Sequence, residues 1–191
     1  VGMELDEPSI AFCRERGHPA TLVGGCDHIP LPREGVDLLT LWDVLEHTPD
    51  DRAVLPELLA ALKPGGHLAL SVPAYQFLYA NNDKVAQHYR RYTRRDLVAK
   101  LREAGFEVRK ASYVNVTLSP LIIPAVLAIK LKERLRPVTD DDTTNLSWAL
   151  PDVINRGLAG LFAGEHRVLK HVSSPFGHSL FAVARKPAAG P

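Results

Sequence analysis

VDLLTLWDVLEHTPDDRAVLPELLAALKPGGHLALSVPA, residues 36–74, is the stretch that decides the fold. Its first seven residues form a nearly continuous apolar run, the pattern of a strand buried on both faces of a parallel sheet. Thr48-Pro49-Asp50-Asp51 carries a helix-start pattern, and Val54, Leu55, Leu58, Leu59 and Leu62 then recur at helical spacing. Pro56 falls among them and predicts a kink or a later start, because proline lacks the amide proton a helix needs. Lys63-Pro64-Gly65-Gly66 predicts the helix end, and HLALSV (67–72) reads as the next buried strand. Strand, helix and strand in that order make one unit of a parallel sheet.

The same alternation continues on both sides. Upstream, VGMELDEPSIAFCRERG (1–17) reads as a strand end, a turn and a helix, with Asp6 as N-cap, Pro8 in the first turn and Gly17 closing the last. A short strand follows at Thr21–Val23, then a loop from Gly24 to Gly35. Downstream, a helix runs from Thr93 to Ala104 with Thr93 and Asp96 as capping pair, and FEVRKASYV (106–114) reads as a strand. Leu150 to Leu169 is helical, and HSLFAVARK (178–186) is a final strand. The expectation is an α/β fold whose mostly parallel sheet is covered on both sides.

Between these elements the pattern changes. Ala111 to Ile129 carries no charged residue, yet Pro120 and Pro124 interrupt it and Asn115, Thr117 and Ser119 dilute it, so a membrane-spanning helix is not expected. The basic tract from Lys130 to Arg136 and the acids Asp140, Asp141 and Asp142 read as a solvated linker. Across the 191 residues, Lys+Arg 23 against Asp+Glu 22 leaves a net charge of +1, which removes the global electrostatic footprint of a nucleic-acid binder. Two cysteines, Cys13 and Cys26, are too few for a disulfide framework and fit a reduced cytosolic compartment. No basic-then-apolar leader opens the sequence. A cytoplasmic location is expected, with peripheral contact at the inner membrane surface through the apolar and basic segment.

The ordered series of segment 36–74, HYRRYTRRDLVAKLREAGF (88–106) and PFGHSLFAVARK (175–186) resembles the class I S-adenosylmethionine-dependent methyltransferases of the bacterial small-molecule type. The resemblance covers nearly the whole chain and is weakest over 116–174. It implies a Rossmann-like, seven-stranded sheet with S-adenosylmethionine lying across the carboxyl ends of the first strands, where a reversal of strand order leaves a crevice. It also implies that the chain opens at the second strand of that sheet. The first strand, its glycine-rich turn and the first helix are then expected upstream, because neither Gly24-Gly25 nor the spaced Gly157, Gly160 and Gly164 form that turn.

The resemblance assigns roles residue by residue. Glu4, ending the strand in VGMELD, occupies the place of the acid that accepts both ribose hydroxyls, a task suited to a bidentate carboxylate. The family's adenine-binding Asp falls on Gly25, with Cys26 and Asp27 beside it as candidate cofactor contacts: either Asp27 substitutes through a shifted loop, or adenine is held only by backbone groups and apolar packing. Asp43 borders the cofactor. Asp43, Glu46 and His47 also resemble the magnesium-binding segment of ubiquinone-pathway O-methyltransferases; histidine suits magnesium poorly, and no metal is expected. His88 stands where the family places substrate-facing residues and is the candidate catalytic base, since imidazole titrates in the right range. Lys84, Arg90, Arg91, Arg94 and Arg95 are either an anchor for an anionic substrate group or a solvated helix entrance.

The expected organisation is a methyltransferase core at 1–115 and 178–187 with an inserted helical cap at 116–177. The expected function is methyl transfer from S-adenosylmethionine to a small molecule, including apolar or lipid-like acceptors. The alternative is a non-catalytic α/β module that binds a membrane surface or a partner through 111–136.

Overall fold

The structure, a computed structural model, describes residues 2–5, 7–18, 20–25, 29–135 and 151–188. Its elements are β1 (Gly2–Glu4), α1 (Glu7–Glu15), β2 (Thr21–Val23), β3 (Val36–Trp42), α2 (Asp51–Ala61), β4 (Leu62–Pro73), α3 (Asn81–Val85), α4 (Arg94–Glu103), β5 (Glu107–Val114), α5 (Ser119–Leu135), α6 (Asp152–Leu169) and β6 (Ser179–Arg185). Most of the predicted elements are present, and their ends follow capping chemistry. The Thr93 side chain accepts from the Asp96 amide, as its spacing predicts. In α2 the cap is Asp50, which accepts from the amides of Arg52 and Ala53. That helix runs through Pro56 and begins before it, with both Pro56 and Arg52, whose carbonyl loses its usual donor, on the exposed side.

The strands form two sheets. β1 and β2 pair in parallel, and the second sheet has the order β3-β4-β6-β5. β3 and β4 are parallel, while β6 runs antiparallel to both of its neighbours, so the sheet is mixed. Among the described residues there are thus six strands in two sheets rather than one continuous sheet. α2 and α4 cover one face, where Leu68, Leu70 and Val72 of β4 and Leu180, Ala182 and Ala184 of β6 meet Leu55, Leu58, Leu97 and Leu101 in a single core. Among the described residues the other face is only partly covered, with Lys110 of β5 donating to the carbonyls at the end of α6. There Trp42 stacks on Phe181 across β4, with ring centroids 6.1 Å apart.

This corrects two expectations. β3 is not buried on both faces: Leu38 is 57% and Trp42 55% exposed, because β3 is an edge strand and the described helices cover only one side of it. Lys63-Pro64-Gly65-Gly66 lies within the span of β4. The register slips between Val36 and Leu38, and the Gly65 amide and Gly66 carbonyl bond to the backbone of Lys186, keeping this stretch tied to the sheet. Gly177 marks the closest backbone approach. A Cβ there would come within 2.3 Å of the Val114 carbonyl oxygen, so only glycine lets the chain cross the end of β5 before entering β6.

Beneath the core lies a buried ionic node. The Asp51 carboxylate accepts from Tyr92 Oη at 2.9 Å and Lys100 Nζ at 2.7 Å, and Arg90 lies 3.2 Å away. Burial alone would raise its pKa, but the hydrogen bonds from Lys100 and Tyr92 hold it below the usual carboxylate value. A depressed folded-state pKa contributes stability above the unfolded value, near 4, and loses it as the pH falls through the folded value. Asp51→Asn should therefore destabilise the chain by about 3 kcal/mol at neutral pH, leaving Lys100 with only Asp96. Urea melts should show the difference shrinking towards strongly acid pH; a constant difference would reject the ionic role.

Candidate functional site

The carboxyl ends of β3, β4 and β5 and the start of β6 lie along one edge of the sheet, as the pairing directions require. The backbone there is repeatedly left-handed at residues other than glycine: Asp43 (φ 51°), Tyr75 (φ 63°) and Asn115 (φ 60°), each directly or closely following a strand. Asp and Asn enter this region readily, whereas an aromatic residue does so at a cost of order 1–3 kcal/mol. Tyr75 is held by its amide bond to the Tyr92 carbonyl and by stacking on Tyr113, centroids 5.0 Å apart.

One helical turn, Leu45–His47, follows β3 and places two chemical groups at this edge. Glu46 is 0% exposed, and neither of its carboxylate oxygens has a hydrogen-bond partner among the described residues. Burial, helped by the negative charge of Asp43, pushes its pKa up to about 8, so the group is mostly a neutral acid at pH 7. His47 is pushed below the ordinary histidine value by burial and by His88. The two imidazoles meet edge to face, centroids 4.6 Å apart.

His88 is oriented by Asp83, which sequence reasoning did not single out. Asp83 is buried on α3 and takes a hydrogen bond from the Ala80 amide, a two-pronged contact from Arg91 and one from His88 Nδ1 at 3.0 Å. Burial would raise its pKa, but Arg91 and the Ala80 amide hold it below the usual value, so it is ionised. An ionised carboxylate can only accept, which puts a proton on His88 Nδ1, so in the neutral imidazole Nε2 is the nitrogen that carries the lone pair. Asn115 and His178 complete the edge, with Asn115 donating to Ser179 Oγ. Burial lowers the pKa of His178. Nothing in the linear sequence marks Asp83, since its partners are an arginine and a histidine across a turn.

Of the predicted residues, the structure brings His88 together with Glu46 and His47. Asp43 lies at the same edge, its amide bonded to Ser71. Glu4 ends β1 in the separate two-stranded sheet and is exposed. Cys26 and Asp27 lie outside the described residues. Arg90 and Arg91 are engaged by Asp51 and Asp83, so neither is a free anchor for substrate. Arg94 and Arg95 line a surface cleft with Arg102, Arg109 and Lys110. The ligating atoms of Glu46, His47 and His88 all lie within 4.8 Å of one another. His88 rather than Asp43 thus completes the set around Glu46 and His47, and one oxygen with two nitrogens suits a transition metal better than magnesium.

The family profile of the methyltransferase domain matches residues 6–111, more than half of the chain. A protein of Mycolicibacterium smegmatis, named a probable S-adenosylmethionine-dependent methyltransferase, is 30% identical over 112 residues, covering 56% of this chain and 43% of that protein. The chain therefore matches less than half the length of this curated relative. Among solved structures, an S-adenosylmethionine-dependent methyltransferase of Thermotoga maritima matches 97% of this chain and 72% of its own, at 19% identity and a TM-score of 0.59. Phosphoethanolamine N-methyltransferase 2 of Haemonchus contortus, solved in complex with S-adenosylmethionine, matches 97% and 43% at 19% identity and 0.56. The cyclase SpnF matches 98% and 66% at 19% identity and 0.58, so at these identities the likeness speaks for the fold alone.

The buried acid Glu46 has a measurable signature. Its folded-state pKa, about 8, lies above the usual 4.5, so the native state holds the extra proton between those values. Stability contributed by the neutral form is complete at low pH and declines as pH rises through that window. Glu46→Gln keeps the shape of the neutral acid and removes the slope. Urea denaturation should show the variant gaining on the parent by roughly 3 kcal/mol between about pH 5 and about pH 8. Parallel pH profiles would mean that Glu46 is ionised and partnered.

Proposed function

The chain belongs to the class I S-adenosylmethionine-dependent methyltransferases, and from that premise we propose that it serves methyl transfer to a small-molecule acceptor of apolar or lipid-like character. The observation that carries the reading is the Asp83–His88 pair at the carboxyl edge of the sheet, a histidine fixed in one tautomer with its other nitrogen turned from its carboxylate partner. When bound, S-adenosylmethionine supplies an electrophilic methyl group on a sulfonium. His88 accepts the proton that an acceptor hydroxyl or amine loses, and Asp83 stabilises the resulting imidazolium. Glu46, as a neutral acid, adds no competing negative charge beneath it. The stacked rings of Phe77, Tyr75 and Tyr113 offer the acceptor an apolar wall. Most of the catalytic effect comes from alignment of donor and acceptor rather than from the base.

Two features of the chain fit the cofactor. Glu4 presents an exposed carboxylate at a strand end, suited to two ribose hydroxyls, and Asp43 stands at the end of β3. In this reading Cys26 and Asp27 lie near the adenine. β1 is bonded only to β2, and β3 only to β4, so each offers an open edge among the described residues. One further parallel strand between them, from outside these 191 residues, would join the two sheets into the seven-stranded sheet of the family and bring the glycine-rich turn with it. Such a strand would also shelter part of β3, whose Leu38 and Trp42 are left in water. Residues 116–177, which include α5 and α6, act as the cap over the core formed by 1–115 and 178–187.

Calorimetric titration with S-adenosylmethionine tests this reading. A longer form that supplies such a strand and turn should bind with a micromolar dissociation constant, and the 191-residue chain at least a hundredfold more weakly, a difference of about 3 kcal/mol. In the longer form Glu4→Gln should weaken binding roughly tenfold, the worth of a charged hydrogen bond. Unchanged affinity in that variant would remove Glu4 from the cofactor site, and absence of micromolar binding by the longer form would refute the proposal.

A further inference from the structure

α5 and α6 turn apolar side chains outward, the reverse of a helix lying on a soluble protein. On α5, Leu121, Pro124, Ala128, Leu131 and Leu135 recur at three- and four-residue steps, and all are exposed. Its more sheltered side carries Ile122, Val126 and Ile129. On α6, Ile154, Leu161 and Val168 recur at seven-residue steps, each more than half exposed, and no residue of that helix is buried. Gly157 and Gly164 fall in the same stripe, and a Cβ on either would meet nothing within 4 Å. No described part of the chain is packed over that face.

The exposed charges that flank these faces are mostly basic. Helical spacing sets Lys132 and Arg134 on the two flanks of the α5 stripe, and Arg156 and Arg167 together along one flank of the α6 stripe. Asp152, in the first turn of α6, is exposed but falls by helical spacing on the side away from the stripe, and the other two acids are more sheltered. Glu133 is half-buried, and Glu165 is half-buried and accepts from the Thr117 amide and hydroxyl, which ties α6 to the segment entering α5. Lys130 donates to the Phe77 carbonyl and so faces inward too. The outer rim is therefore mostly basic, with the apolar surface between.

We propose that the outward faces of α5 and α6 dock the protein on the surface of an anionic phospholipid bilayer. Exposed apolar stripes of this extent mark an interaction surface, and basic flanks match a negatively charged headgroup layer. Long basic side chains at such a boundary reach the headgroups while their stems lie along the acyl region. The mode is in-plane docking, because no helix among the described residues is long and apolar enough to cross a membrane. The inference stands apart from the cofactor reading, since it rests on no residue of the catalytic edge.

Flotation of the 191-residue chain with phosphatidylcholine vesicles, with and without phosphatidylglycerol, is the test. Bound protein should increase with phosphatidylglycerol content and decrease with added salt. Lys132→Gln and Arg134→Gln should each lower the partition coefficient about fivefold. Leu131→Glu combined with Leu161→Glu should abolish flotation while the circular-dichroism melt stays unchanged, because both positions are exposed. Failure to float with anionic vesicles at low salt, or flotation indifferent to the paired glutamates, would overturn the proposal. So would a dimer in sedimentation equilibrium that the same glutamates dissociate without any vesicle binding, which would give the face to a second copy of the chain.

Discussion

Two buried carboxylates organise the region on which everything else depends. Asp51 and Asp83 between them hold four of the five side chains of His88-Tyr89-Arg90-Arg91-Tyr92: Tyr92 and Arg90 turn to Asp51, while His88 and Arg91 turn to Asp83. The backbone of the segment is fixed as well, by Tyr89 to the Glu46 carbonyl and by Tyr92 to the Pro73 carbonyl. Loss of either acid would leave cations in a largely dry environment without their counter-charge, a far larger penalty than loss of a surface pair. One stretch of chain is thus fastened at once to the start of α2, to the end of β4 and to α4.

The catalytic edge inherits its geometry from that fastening. His88 has a defined ring orientation because Asp83 is buried and ionised, and Asp83 stays ionised because Arg91 and the Ala80 amide stabilise its charge. Glu46, whose carboxylate lies within 4.8 Å of a His88 nitrogen and has no hydrogen-bond partner among the described residues, takes the opposite protonation state. Two carboxyl groups of ordinary chemistry are therefore driven apart by their surroundings, one to serve as an anion and the other as an acid. The left-handed residues at the ends of β3, β4 and β5 are the backbone counterpart. They bend each strand away sharply, so that the side chains beyond it converge over the sheet rather than continue past it.

The amino-acid pattern disclosed what depends on local spacing. The alternation of apolar runs with helical stripes from Val36 to Val114 set the element order, and the Thr93–Asp96 cap is a four-residue signal that needs no tertiary context. The same pattern misread Lys63 to Gly66 as a helix stop alone, because the bonds that hold this stretch in the sheet come from Lys186, far along the chain. It left Arg90 and Arg91 between an anchor for substrate and a solvated helix entrance, and their pairing with Asp51 and Asp83 was neither, since both acids lie outside the segment and nothing in their local context announces it. Full burial of β3 was inferred from its composition, whereas burial is a property of what stands beside a strand. Asp43, Glu46, His47 and His88 were legible as candidates; that His88 and not Asp43 closes around Glu46 required the fold.

The position of β6 has a consequence for how the molecule comes into being. This strand is drawn from residues 179–185, yet it lies between β4 and β5 and supplies the partner for an edge of each. During synthesis the core helices and β3–β4 can gather early, but β4 and β5 stay unjoined until the last described strand has emerged and threaded between them. Contacts of such long sequence separation slow folding and prolong the exposure of unpaired edges. A ribosome stalled anywhere before residue 179 would therefore hold a nascent chain with two open strands, a natural client for chaperones and a hazard for self-association.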